Sequence, residues 1–252
     1  MIRLVLGQYR SLIVTTVVLV VLVDTVLLWH GSKTGAITAQ AVAAGCPTGP
    51  SCADLRSDVL DSYKQFGHPL DFLIVLPAVV GAFWGAPLVA RELEQHTACL
   101  AWTQSISRRR WLLARWLVLG AIITVCGGAV GIGITWWSQR YRNLLTFTGG
   151  HPQALLAQNR GFEPPIWWLA AFLLGAAVGI LLKRTLGAMA LTAGLLIVLA
   201  IGLSTTPAAI RAAQTGWGTD LARAQLFDAG LLLGLAAAAA IASIWLINKA
   251  DV

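Results

Sequence analysis

Apolar positions in this chain run together in long unbroken stretches instead of alternating or tracing a narrow helical stripe. Continuous runs of that length read as helices inside a membrane, not as strands of a barrel, whose lipid-facing residues alternate. A bilayer core about 30 Å thick takes about 20 apolar residues in a helix. Six stretches meet that length, at about 11–29, 70–90, 112–137, 164–182, 185–206 and 229–248. The pattern predicts an all-α integral membrane protein of six transmembrane helices, with residues 1–252 forming one membrane domain. Longer polar stretches at about 30–68, 138–165 and 205–228 are expected to be loops on the outer side.

Composition narrows the class. Hydrophobic residues make up 57% and charged residues 12%, with mean hydropathy +0.74. A water-soluble domain carries roughly twice that charge, and a disordered chain needs low hydrophobicity. Four cysteines in 252 residues are too few for a disulfide scaffold. Orientation follows from the cations. Ten Lys and Arg (3, 10, 91, 108, 109, 110, 115, 183, 184 and 249) fall in one set of short connections. Eight others are spread over the three long loops and diluted by acidic residues. Both termini are therefore expected in the cytoplasm. The net charge of +7 reads as this orientation signal with some affinity for anionic lipid, and nucleic acid is not an expected partner. Ala43-Ala44-Gly45-Cys46 lies too far beyond the first apolar run for a signal-peptide cleavage site, so a retained anchor is expected.

Within the spans, eleven Trp stand against three Tyr. Trp29, Trp136, Trp137, Trp167 and Trp168 fall at expected outer ends, and Tyr9, Trp111, Trp116 and Trp245 at inner ends, as in an interfacial aromatic belt. Glycines pair at four-residue spacing (81 and 85, 127 and 131, 175 and 179, 230 and 234), which lets helix backbones approach closely. Ordinary packing within one bundle explains most of these pairs; a face for a second copy is the sharper alternative. Pro77 and Pro87 predict a kink or break in the second span, a feature that often lines a pathway. Asp24 is the clear acidic residue inside a span, either reaching toward the interface or facing a pathway. Cys46 and Cys52, separated by Pro-Thr-Gly-Pro-Ser in an outer loop, are expected to form a disulfide in an oxidising exterior.

The most informative stretch is Gly85 to Trp116, GAPLVARELEQHTACLAWTQSISRRRWLLARW. A span ends at Arg91 and leads into Arg91-Glu92-Leu93-Glu94-Gln95-His96-Thr97, where Leu93, Thr97 and Leu100 recur at helical spacing. Ser105 and Ser107 supply turn and cap chemistry before three arginines and the next span. This arrangement resembles the permease subunits of bacterial ATP-binding-cassette (ABC) transporters, in the type-two group that includes antibiotic and multidrug exporters. Leu100 to Gln104 followed by arginines resembles the actinobacterial branch. His96 stands where that family usually has Gly, and Arg115 where Lys is common.

The resemblance implies a bacterial plasma-membrane permease that exports a drug, antibiotic, lipid or similar amphipathic substrate by alternating access. It implies a cytoplasmic coupling helix over Glu92 to Thr103, with Glu92, Glu94, His96, Thr97 and Trp102 touching an ATPase subunit. Arg91, Arg108, Arg109 and Arg110 are expected at lipid headgroups, with ATPase contact second. Asp24, Pro77 and Pro87 are candidates for the pathway. The chain carries no Gly-x-x-x-x-Gly-Lys-Ser/Thr phosphate loop. ATP and magnesium would therefore sit on two copies of a separate ATPase, beside a second permease, with no catalytic residue or cofactor on this chain.

Glu92, His96 and Cys99 share one helical face with residue types suited to zinc, but no fourth ligand accompanies them, so a polar docking face is preferred and no metal is expected. Intramembrane proteolysis would need a Ser/His pair within the spans, whereas the four histidines fall in loops or at helix ends. A secondary carrier or channel with no ATPase partner is the remaining alternative.

Overall fold

The computed structural model describes residues 6–43, 45, 54, 57–58, 61, 72–95, 108–148, 161–205 and 219–249. Every regular element among them is helical. Helix α1 runs Arg10–Ala43. The second expected span is a string of short pieces: a 3₁₀ turn Phe72–Val75, α2 Leu76–Val80, a π-helical turn Gly81–Gly85, and α3 Pro87–Glu94. Helix α4 is Arg108–Thr148, α5 Glu163–Leu182, α6 Thr185–Ser204 and α7 Thr219–Lys249. Among the described residues, five helices are long and apolar enough to cross a membrane: α1, α4, α5, α6 and α7. The expected break in the second span is present, with Pro77 and Pro87 in the first turns of α2 and α3.

Helix ends differ from the sequence reading. Residues 30–43 are helical where a loop was expected, α4 continues to Thr148, and α7 begins at Thr219 instead of near 229. Hydropathy marks where lipid ends, and a helix whose backbone bonds are satisfied internally need not stop there.

Helix α5 is the centre, touching α4, α6, α7 and, in the broken second segment, α2, the π turn and α3. Its start suits the position: Glu163 lies in the first turn and a proline follows at the N-terminal positions, where a missing N–H costs nothing. At its other end Lys183 takes a left-handed conformation, φ 53°, which turns the chain into α6 through only Lys183 and Arg184.

Lipid is as apolar as leucine, so close backbone approach must hold such helices together. Three of the four glycine pairs do this. A Cβ on Gly85 would collide with the Phe172 carbonyl oxygen, one on Gly175 with that of Gly81, and one on Gly179 with that of Ala86. Gly127 and Gly131 let α4 approach Pro164, Trp168 and Gly161 in the same way. Gly230 and Gly234 have nothing within 4 Å and face outward. The π turn, buried against α5, is therefore where the second segment comes nearest the centre.

The aromatic belt is only partly as expected. Trp29 and Trp245 are exposed, but Trp111, Trp116, Trp137, Trp167 and Trp168 are buried among other helices. Near a membrane boundary an indole can as well be a packing and hydrogen-bonding core residue as an anchor, and position along a helix does not reveal which face it occupies.

Candidate functional site

The start of α1, the end of α3 and the start of α4 meet at one end of the bundle. Arg115, two turns inside α4, is buried there, with 7% of its surface exposed. Its Nη1 pairs with Glu92 Oε1 at 2.6 Å and also donates to the Leu88 carbonyl at 3.4 Å. Its Nη2 donates to Gln8 Oε1 at 3.4 Å, and the guanidinium lies 4.1 Å from the centre of the Trp111 ring. One planar cation thus joins three segments, a use for which the fork-shaped guanidinium suits better than an ammonium. Burial pushes the nearby Tyr9 phenol above its ordinary value, with Arg115 opposing.

Two residues on, Glu94 Oε2 accepts from the Thr185 hydroxyl at 2.6 Å and from the Thr185 amide at 2.9 Å. Thr185 is the first residue of α6, and its N-cap Arg184 makes no side-chain cap bond. Glu94 therefore caps a helix distant in sequence, placing negative charge at the positive end of its dipole. The Thr185 hydroxyl, then its amide, hold the Glu94 carboxyl below the usual carboxylate range.

At the opposite end two of the described hydrogen bonds join neutral groups. Trp137 Nε1 donates to His30 Nδ1 at 3.0 Å, with both residues buried. The Gly161 amide donates to Thr135 Oγ1 at 2.8 Å, tying the chain before α5 to α4. Gly31 lies directly against the Trp136 ring.

Between the ends, α1 and the broken segment flank an apolar cavity of about 340 Å³, lined by Leu19, Val23, Leu76, Val79, Phe83 and Trp168 among others. Its two threonine hydroxyls are turned to protein partners. Thr15 donates to the Ser11 carbonyl at 2.9 Å, and Thr16 accepts from Trp84 Nε1 at 3.0 Å. The Asp24 Oδ1 is buried directly against Gly133 of α4, the only residue type that leaves room for it.

The expected site residues are therefore divided. Glu92 is half-buried and turned inward, Glu94 is exposed but occupied by Thr185, and Arg91 and Arg110 are exposed. Arg108 and Arg109 begin α4, with their side chains outside the described residues. His96, Thr97, Cys99, Trp102, Cys46 and Cys52 also lie outside them, so neither the coupling helix beyond Gln95 nor the disulfide is described. The described helix ends at Glu94.

Sequence reasoning missed Gln8 and Thr185, read Trp111 as an interfacial aromatic, and noted Arg115 as an orienting cation and a departure from a family pattern, not as a site residue. A usable signal was present: an arginine just inside an apolar run needs a partner, and Glu94 and Glu92 were the nearest acids before it.

Residues 16–207 match the family described as ABC-2 membrane transporter related. No curated protein and no solved structure matches the chain.

Proposed function

We propose, from the premise that this chain belongs to the ABC-2 membrane transporter related family, that it is the permease subunit of an ATP-driven exporter. The chain is a multi-pass helical membrane protein, and in this proposal it crosses a bacterial plasma membrane six times. The broken segment from Phe72 to Glu94 serves as the second span, and both termini are cytoplasmic. Two ATPase subunits, carrying ATP and magnesium, dock at the end of the bundle marked by Glu92, Arg115 and Glu94. A second copy of this chain, or a related permease, completes the pathway.

One observation carries the reading beyond the family. The second segment is interrupted by a π turn, while its last turn is tied to two other helices just before the 96–107 connection. A pull on that connection would reach the bundle through this turn. ATP binding would bring the two ATPases together, and that movement would open the helices first to one side and then to the other. The apolar cavity between α1 and the broken segment supports an amphipathic or apolar cargo, because its hydroxyls are already occupied and it offers no charge to a polar solute.

The test is reconstitution with an ATPase encoded beside this chain, followed by movement of an amphipathic fluorescent dye in proteoliposomes. Dye movement that needs ATP hydrolysis supports the proposal. Movement at the same rate without nucleotide would sink it in favour of a channel or carrier.

A further inference from the structure

Glu92 and Glu94 look alike in sequence, as two acids on an exposed turn, but they are held in opposite directions. Residues two apart on a helix point roughly 200° away from each other. Glu92 accordingly reaches Arg115 of α4, while Glu94 reaches the first residue of α6. An outside cation that claimed Glu92 would have to displace a buried guanidinium already bonded to Leu88 and Gln8 and stacked on Trp111. Glu92 is thus an unsuitable docking contact.

The backbone immediately upstream explains what such ties are for. Helix α3 has eight residues and opens at Pro87, which supplies no N–H. It is preceded by the π turn, closed by the Ala86 amide on the Gly81 carbonyl at 2.9 Å. A joint built from a proline and a π turn bends more readily than a regular helix. A force applied beyond Gln95 would be absorbed there unless α3 were braced from the side.

We infer that Glu92 and Glu94 are positioning residues, two lateral braces that pass movement of the 96–107 connection to α4 and α6, and that ATPase contact falls to residues beyond them. The inference rests on the proposed transporter reading for its purpose, but the braces themselves are testable on the isolated chain.

The first experiment measures amide exchange of the full chain in lipid nanodiscs. Glu92→Gln and Arg115→Gln are each expected to speed exchange across residues 88–94 about tenfold. The double variant is expected to be no faster than Arg115→Gln alone, since the Glu92 tie is already gone there. Glu94→Ala is expected to speed exchange at Thr185 and leave 88–92 unchanged. Additive effects of the Glu92 and Arg115 changes, or no effect at Thr185, would overturn the braces; should Arg115→Gln not fold, Glu92→Gln and Glu94→Ala decide the matter.

The second experiment co-expresses each variant with the neighbouring ATPase. Retained co-purification together with loss of ATP-dependent dye movement supports the inference. Loss of co-purification with either acid replaced would make that acid a docking contact and overturn it. If the unaltered chain holds no ATPase at all, the transporter reading fails by itself, and the exchange measurements still decide whether the braces exist.

Discussion

Among the described contacts, an ion pair and a carboxylate cap join helices at one end of this bundle, and two hydrogen bonds between neutral groups join them at the other. At the first end, a carboxylate and a guanidinium pair at 2.6 Å with part of the Glu92 side chain still open to solvent, and a second, exposed carboxylate caps α6. At the other, an indole donates to an imidazole with both residues buried, and an amide bonds a threonine hydroxyl. Charged ties near water are strong when formed, yet water can take over their partners when they part. The buried Trp137–His30 tie has no such substitute, so opening it costs more than forming it contributes. The charged end is suited to rearrange and the neutral end to hold.

The comparison is most strongly broken at Arg115. Arg115→Met would leave Glu92 half-buried without its cation and sever three segments at once. The expected loss is about 3 kcal/mol, the lower part of the range for breaking a buried pair because Glu92 keeps some contact with water. A thermal unfolding scan in nanodiscs reads it; a loss under about 1 kcal/mol would mean that the pair behaves as an ordinary surface ion pair.

At the neutral end, Trp137→Phe removes the donor to His30 and part of a fully buried ring. The expected cost is about 2 kcal/mol. Exchange should rise near His30 and Trp137 while residues 88–94 stay protected. Equal loosening at both ends would show that the ties are not separate.

The smallest effect concerns acid. The folded-state pKa of Glu94 lies below its ordinary value, so its contribution to stability is present above the ordinary carboxylate range and is lost as pH falls through the lowered value. The stability difference between the unaltered chain and Glu94→Ala should therefore hold at neutral pH and shrink toward zero as the solution becomes strongly acidic. A difference that grew on acidification would refute the cap.

Much of the architecture was legible in the chain because it depends on local quantities. Span length follows from bilayer thickness and apolar run length, and α5 and α6 begin and end within a few residues of expectation. The break in the second span followed from Pro77 and Pro87, whose missing N–H acts on their own helix. The charged end was legible as a region but not as a geometry. Glu92, Glu94 and Arg115 all stood out in sequence, yet whether a carboxylate faces a partner protein or a neighbouring helix depends on rotation about the helix axis. Asp24 shows the same limit: its carboxyl fits because Gly133, far away in the chain, leaves a gap.

The amino-acid order alone therefore determined a helical membrane chain with an interrupted second segment and a charged connection after it, since hydrophobic length, proline and glycine act within a few residues of where they stand. The three-dimensional arrangement decided which glycines touch backbone, which tryptophans leave the lipid boundary, and where the two glutamates point. Those outcomes depend on how helices rotate and approach one another, and close packing among several segments sets that all at once.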